Sequence, residues 1–195
     1  KKESDITVSM TGMFNVENIT AAVAVCSEFG VTDEKITDAL SVCRGVKGRC
    51  EIIPTGKDFT VICDYAHTPD ALENVLASVK QYCQGRLICL FGCGGNRDRG
   101  KRPLMAQSAT KYADMLIVTS DNPRDEDPNE IISDILSGIK GTNCPYITVT
   151  DRKEAIFEAL KTAGKNDIVL LAGKGHEDYQ VLENNVHIHF DEREI

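Results

Sequence analysis

No run of apolar residues in this chain is long enough to cross a bilayer, so a membrane-spanning helix is not expected. No charged segment followed by an apolar stretch opens it, which gives no sign of a secretory leader. Basic charge is scarce: 22 Lys and Arg against 30 Asp and Glu leave −8 at pH 7. A protein that coats nucleic acid carries the opposite balance, so neither nucleic acid nor membrane insertion is expected. The 8 cysteines include no C-x-x-C pair. Cys63 and Cys89 sit inside apolar runs, where a thiol behaves as a small hydrophobe. A disulfide or zinc framework is therefore not expected, and a reducing cytoplasm is. Internal repeats and low-complexity tracts are missing as well.

What is present is ordinary globular material, 42% hydrophobic and 27% charged over 195 residues. That length supplies one good core, or one domain and part of another. Ile6 and Val8 alternate like the tail of a strand. Asn15 to Phe29 reads as a helix, with Val16, Ile19, Val23 and Cys26 on one face and Gly30 as a stop. A second short helix is expected over Asp33–Ser41. These pieces bury little by themselves, so residues 1–48 are expected to belong to a larger domain.

From Arg49 the rhythm changes. Val61–Cys63, Leu87–Phe91, Met115–Val118, Ile147–Val149 and Ile168–Leu171 read as fully buried strands. Between them, Leu72, Val75, Leu76 and Val79 share a helical face. So do Ile131, Ile132, Ile135, Leu136 and Ile139, and likewise Ile156, Ala159, Leu160 and Ala163. Start signals agree: Thr68 before Pro69, Asp127 before Pro128, and Asp151 with Glu154 three residues on. Strands alternating with helices predict an α/β fold, a doubly wound, mostly parallel Rossmann-like sheet. Asn184-Asn185 between Gln180–Glu183 and Val186–Phe190 predicts a hairpin that adds an antiparallel pair at one edge. Asp191–Ile195 reads as the start of another helix.

Polar groups gather where the buried strands end, which is where ligands bind in an open parallel sheet. Asp64-Tyr65-Ala66-His67-Thr68-Pro69-Asp70 leaves a strand and enters a helix. It reads as a capped turn, yet a pure turn needs neither Asp64 nor His67; His67 could bond a ligand and Tyr65 could stack on a base. Gly95 to Lys101 fits G-x-x-x-x-G-K, the phosphate loop of nucleotide hydrolases, but Arg102 stands where Ser or Thr should hold magnesium. The arginines still offer forked donors to a carboxylate or phosphate, so an anion site is the better reading, against a solvated basic loop. In Asp121-Asn122-Pro123-Arg124 the proline restrains its neighbours and presents Asn122 and Arg124 rigidly, although a lone type I turn would look the same. Gly173-Lys174-Gly175-His176-Glu177-Asp178 places Glu177 where it could receive an ammonium group. His187-x-His189 alternates with apolar residues and reads as the solvent side of a strand rather than a metal site.

Taken in order, Gly12-Met13-Phe14-Asn15-Val16-Glu17-Asn18, Gly48-Arg49-Cys50-Glu51, Asp64–Asp70, Phe91–Asp98, Lys101-Arg102-Pro103, Asp121–Arg124 and Gly173–Asp178 resemble the C-terminal part of a Mur ligase. The type resembled adds meso-diaminopimelate to UDP-N-acetylmuramoyl-L-alanyl-D-glutamate in peptidoglycan synthesis. The resemblance implies an ATP-dependent amide ligase: ATP turns a carboxylate into an acyl phosphate, which the incoming amine attacks. It implies residues 1–48 as the end of a central ATP-binding domain and 49–195 as the amino-acid-binding domain. Arg97, Asp121, Asn122, Pro123, Arg124, Gly173 and Glu177 then match the amino-acid site. Asn18, Arg49, Asp64, Tyr65 and His67 match the adenine and ribose side of ATP. Arg124 matches the arginine of D-N-P-R; a guanidinium with no carboxylate opposite is costly, so it favours diaminopimelate over lysine. Glu177 would pair with the distal ammonium. The resemblance also implies Mg2+, held mainly by parts upstream of Lys1, and a cytoplasmic monomer acting on small molecules, inactive as this segment alone. Two other readings stay open at the level of residues. One is a free-standing nucleotide-hydrolysing switch on Gly95–Lys101 with Asp121 as a metal ligand. The other is a non-catalytic small-molecule binding module.

Overall fold

A computed structural model describes residues 6, 8, 10 and 12–195, leaving aside the side chains of Met13 and Phe14. The strand expected around Ile6 and Val8 falls largely outside the described residues. Two compact units emerge, residues 1–46 and 47–195.

In the first unit, α1 spans Met13–Glu28 and α2 spans Asp33–Val42. Gly30, at φ +76°, turns the chain between them, a conformation open to glycine because it has no Cβ. Ile19, Val23 and Cys26 are half-buried along one face of α1, whereas Val16 is exposed. Within α2 only Ile36 is buried.

The second unit holds the core. Its strands are β1 (Glu51–Ile53), β2 (Thr60–Asp64), β3 (Leu87–Phe91), β4 (Met115–Val118), β5 (Tyr146–Thr148) and β6 (Ile168–Ala172). They form one sheet in the order β1-β2-β6-β3-β4-β5, parallel throughout except for β1, which runs antiparallel to β2. The fold class is thus the expected mostly parallel α/β sheet with an antiparallel edge. That edge is supplied by β1, which carries no sequence signal beyond three residues. The hairpin strands β7 (Tyr179–Leu182) and β8 (Val186–His189) pair with each other in a separate two-stranded sheet. Their link is a three-residue 3-10 turn, Glu183–Asn185, with Asn184 and Asn185 at positive φ. A further correction concerns β5: it is an edge strand with Tyr146 and Thr148 exposed, not a buried one. Its apolar residues lack a second neighbour to cover them.

Helices α3 (Pro69–Lys80), α4 (Lys101–Thr110), α5 (Pro128–Leu136) and α6 (Arg152–Thr162) complete the unit. Thr68, Asp127 and Asp151 cap α3, α5 and α6 through their side-chain oxygens, and Pro69 and Pro128 occupy the first helical positions. Leu72, Val75, Leu76 and Val79 are buried on α3, each contributing roughly 1.5–3 kcal/mol by leaving water. Ile156 and Ala159 of α6 pack on Ile88, Leu90, Ile117, Val169 and Leu171. Alternate residues Leu87, Cys89 and Phe91 point the other way and are equally buried, so both faces of the sheet are covered. Asp191–Ile195 closes on a short 3-10 turn rather than an α-helix.

After β5 the chain returns through α6 to place β6 between β2 and β3. The strand order therefore reverses at β6, and a crevice opens at the carboxyl ends of the central strands. β2, β3, β4 and β6 deliver into that end the segments beginning at Tyr65, Gly92, Thr119 and Gly173.

Candidate functional site

A polar cavity of about 440 Å³ lies at that end. The loop after β2 lends it Tyr65 and His67, and the loop after β3 lends Gly92, Gly94 and Arg97. The loop after β4 adds Asp121, Asn122 and Arg124; the turn after β6 adds Gly173 and Glu177. Six of the seven residues expected to hold the amino acid therefore line one cavity. The seventh, Pro123, does not line the cavity. Its carbonyl closes over Gly95, where a side chain would collide with it, so Pro123 fixes the approach of two loops.

Of the residues expected beside ATP, Tyr65 and His67 reach the cavity. The Arg49 guanidinium sits over the Tyr65 ring, 4.8 Å from its centre, and His67 meets the same ring edge-on at 4.6 Å. Asp64 is placed differently. Its carboxylate is buried and accepts the Cys50 and Ala66 backbone N–H groups, each at 2.7 Å, so it braces the turn. Burial pushes its pKa up against those two donors. Asn18 is exposed and belongs to the 1–46 unit.

The basic stretch 97–102 divides between structure and site. Arg102 is fully buried, donating to Asp134 Oδ2 and Glu126 Oε1, each at 2.9 Å. Arg99 joins Asp134 at 3.1 Å. These two arginines tie α4 and the turn before it to α5, and neither lines the cavity. Three of the loop amides are committed too: Gly95 N–H to the Asn122 carbonyl, Asn96 N–H to Glu126, and Gly100 N–H to Asp98. A phosphate loop needs such amides unspent, so Gly95–Lys101 is not built as one. Arg97 and Lys101 do line the cavity, and among the described residues the Lys101 ammonium bonds only the His67 carbonyl, at 3.0 Å.

Arg124 is half-buried, and its backbone adopts the left-handed conformation, φ +52°. Its N–H donates to Val181 O at 3.1 Å in β7, which holds that unusual conformation in place. Its guanidinium Nη1 donates to Gly95 O at 3.0 Å and to Asn122 O at 3.3 Å. No described carboxylate forms an ion pair with it. The charge is aimed and not neutralised, as a carboxylate-binding group requires.

In the same cavity, Glu177 accepts from Asn122 Nδ2 at 3.2 Å and lies 3.5 Å from the Tyr65 hydroxyl. Tyr65 is held above its ordinary pKa, first by burial and then by this carboxylate. Burial also pushes the Asp121 carboxyl up, but Lys174, Arg152 and Arg124 outweigh it and keep Asp121 below the usual range. The cavity thus presents both fixed cations and a carboxylate, the two needs of a zwitterion with an extra carboxylate. Cys93 also lines the cavity, and burial pushes its thiol up to about 12, leaving it inert. Sequence reasoning missed the contribution of β7. Gln180 Nε2 donates to Asp121 O at 2.5 Å and Val181 N–H to Asn122 Oδ1 at 2.9 Å, with no motif to announce either. Outside the cavity, His189 pairs with Glu194 at 2.7 Å and His187 lies against Tyr179. Among the described residues, no group of three or more His, Cys, Asp or Glu is arranged to hold a metal ion.

The family described as Mur ligase, glutamate ligase domain, matches residues 48–175. A protein of Caldanaerobacter subterraneus subsp. tengcongensis, named UDP-N-acetylmuramoyl-L-alanyl-D-glutamate--2,6-diaminopimelate ligase, is 52% identical over 194 residues, 100% of this chain and 40% of the relative. A relative of that name in Clostridium acetobutylicum is 50% identical over 97% of this chain and 39% of its own length. A solved structure of a ligase so named superposes with a TM-score of 0.74 at 42% identity, covering 95% of this chain and 38% of the other. The chain spans about 40% of the length of the curated relatives it matches.

Proposed function

The chain belongs to the Mur ligase family, and from that premise we propose that it is the C-terminal segment of an ATP-dependent amide ligase. The ligase would add meso-diaminopimelate to UDP-N-acetylmuramoyl-L-alanyl-D-glutamate in peptidoglycan synthesis. One observation carries the reading: the Arg124 guanidinium lines the polar cavity with no ion-pair partner among the described residues, and Glu177 lines the same cavity. Diaminopimelate ends in a carboxylate and an ammonium, and lysine in an ammonium alone. Arg124, with Arg97 beside it, binds the distal carboxylate, Glu177 receives the distal ammonium, and Asn122 fixes Glu177 between them.

Held at both ends of its far side, the amino acid keeps its reacting amine at the open mouth, toward the acceptor. ATP supplies the activated carboxyl as an acyl phosphate, and positioning the amine against it provides much of the acceleration. Tyr65, with Arg49 stacked on it, and His67 offer a surface for the nucleotide. Mg2+ would be held mainly by parts outside this chain. A cytoplasmic location fits the eight free thiols. No described helix is long and apolar enough to cross a membrane.

The test is turnover by the complete ligase with ATP and acceptor. Meso-diaminopimelate should be used at least about 10-fold better than L-lysine, the discrimination expected when a charged hydrogen bond worth about 1.5–3 kcal/mol is missing. Equal use of the two, or a preference for lysine, overturns the reading.

A further inference from the structure

Lys174 is fully buried in the turn after β6 and does not line the cavity. Its ammonium has three protons to donate and accepts nothing. Around it stand Asn122 Oδ1 at 2.5 Å, Tyr179 O at 2.9 Å, Asp121 Oδ1 at 3.1 Å and Glu177 Oε2 at 3.4 Å. The Tyr179 ring lies 5.9 Å away. Asp121 Oδ1 is buried and receives no hydrogen bond of good geometry, so its charge is balanced by proximity to this ammonium. Of the other fully buried cations, Arg102 joins α4 to α5, and Arg152 pairs with Glu192 at 2.7 Å while adding to the positive field at Asp121. All three polar side chains that meet the Lys174 ammonium line the cavity.

These contacts settle one orientation. Asn122 Oδ1 takes a proton from Lys174 and another from the Val181 N–H at 2.9 Å. Both partners only donate, so the oxygen must face them and the amide NH2 must face outward. That NH2 donates to Glu177 Oε2 at 3.2 Å, the same oxygen that Lys174 approaches. One Glu177 oxygen is therefore tied down, and Oε1, at 3.5 Å from the Tyr65 hydroxyl, is left for a ligand.

We propose that Lys174 is a positioning residue: its buried ammonium fixes the Asn122 amide and the Glu177 carboxylate so that one Glu177 oxygen meets the distal ammonium of the diamino acid. This rests on the ligase reading for the identity of the ligand, but the geometry can be checked without it.

The variant is Lys174→Met, close in length and without charge, assayed in the complete ligase. KM for meso-diaminopimelate should rise at least tenfold, with KM for ATP within twofold of the unsubstituted enzyme. Because Met leaves Asp121 buried and unpaired, the same change is repeated in an Asp121→Asn background, where folding no longer depends on neutralising that carboxylate. The tenfold rise should recur there, measured against Asp121→Asn alone. Parallel rises for both substrates, or no rise in the Asp121→Asn background, overturn the proposal and leave Lys174 a structural counter-ion. Absence of turnover by the unsubstituted ligase would instead sink the ligase reading. The proposal is then judged by a crystal structure of the Lys174→Met chain: loss of the Asn122–Glu177 hydrogen bond supports it, and its persistence overturns it.

Discussion

The cavity at the carboxyl ends of the strands and the one beside α6 differ in size and in lining. The first, about 440 Å³, is walled by arginine, carboxylate, amide and glycine backbone. The second, about 560 Å³, is larger and mostly apolar, lined by Ile53, Phe59, Val61, Ile156, Leu160 and Leu171, with Arg193 at its margin. Space alone would choose the second. The first has what chemistry needs: charges held by backbone hydrogen bonds, aimed at one volume and not cancelled. Strand ends make the difference, because a loop leaving a buried strand is anchored at its root while its side chains are free to converge. The side of a sheet offers only the apolar alternation of its own strands.

The contrast predicts a clean separation of effects. Ile156→Ala, at a site only 1% exposed beside the apolar cavity, should cost about 2–5 kcal/mol of stability. Chemical denaturation will show the loss, and the KM values of the folded fraction should not move; a changed KM for the diamino acid would blur the distinction. Arg124→Ala should do the reverse. Losing a charged hydrogen-bonding partner is worth about 1.5–3 kcal/mol, a fall of roughly 10- to 150-fold in kcat/KM for meso-diaminopimelate. KM for ATP should stay within about twofold, and a matching loss for ATP would count against the assigned wall.

The smallest effect belongs to the charged margin of the apolar cavity. Arg193 holds Glu51 at 2.5 Å and Asp191 at 2.9 Å. The Arg193 hydrogen bond draws Glu51 below its ordinary pKa against burial; burial pushes Asp191 up, but Arg193 and Lys47 bring it lower. A carboxylate depressed in the folded state stabilises above its unfolded pKa, about 4 here, and loses that contribution as pH falls through its folded value. The thermal midpoint should therefore drop more steeply below pH 4 in the unsubstituted chain than in Glu51→Gln. Identical acid limbs would show that this cluster contributes nothing.

Much of this was legible beforehand, for reasons that particular residues make plain. Leu87–Phe91 and Met115–Val118 were readable as strands because central strands are apolar on both faces. Thr68, Asp127 and Asp151 announced helix starts because capping is local chemistry. Glu51–Ile53 was not readable, since three residues carry no period, and Ile147–Val149 misled because an edge strand can be as apolar as a central one. In the site, Arg97, Asn122, Arg124 and Glu177 stood out by residue type and by their places after strands. The Asp64 carboxylate accepts the Cys50 and Ala66 amides, which no motif announced, and Arg102 looked like part of an anion site and is a tie between helices. A charge in sequence does not say whether another charge is already waiting for it.

The sequence by itself determined the alternation of strands and helices, the caps, and which residue types end each strand, because these depend on neighbours a few positions away. Only the tertiary structure decided which cations remain unpaired, that β7 grips the Asp121–Arg124 loop, and that Lys174 sits beneath it. Those outcomes depend on groups dozens of residues apart brought within 3 Å of one another, and where water is excluded and the dielectric is low such distances decide whether a charge braces the protein or waits for a ligand.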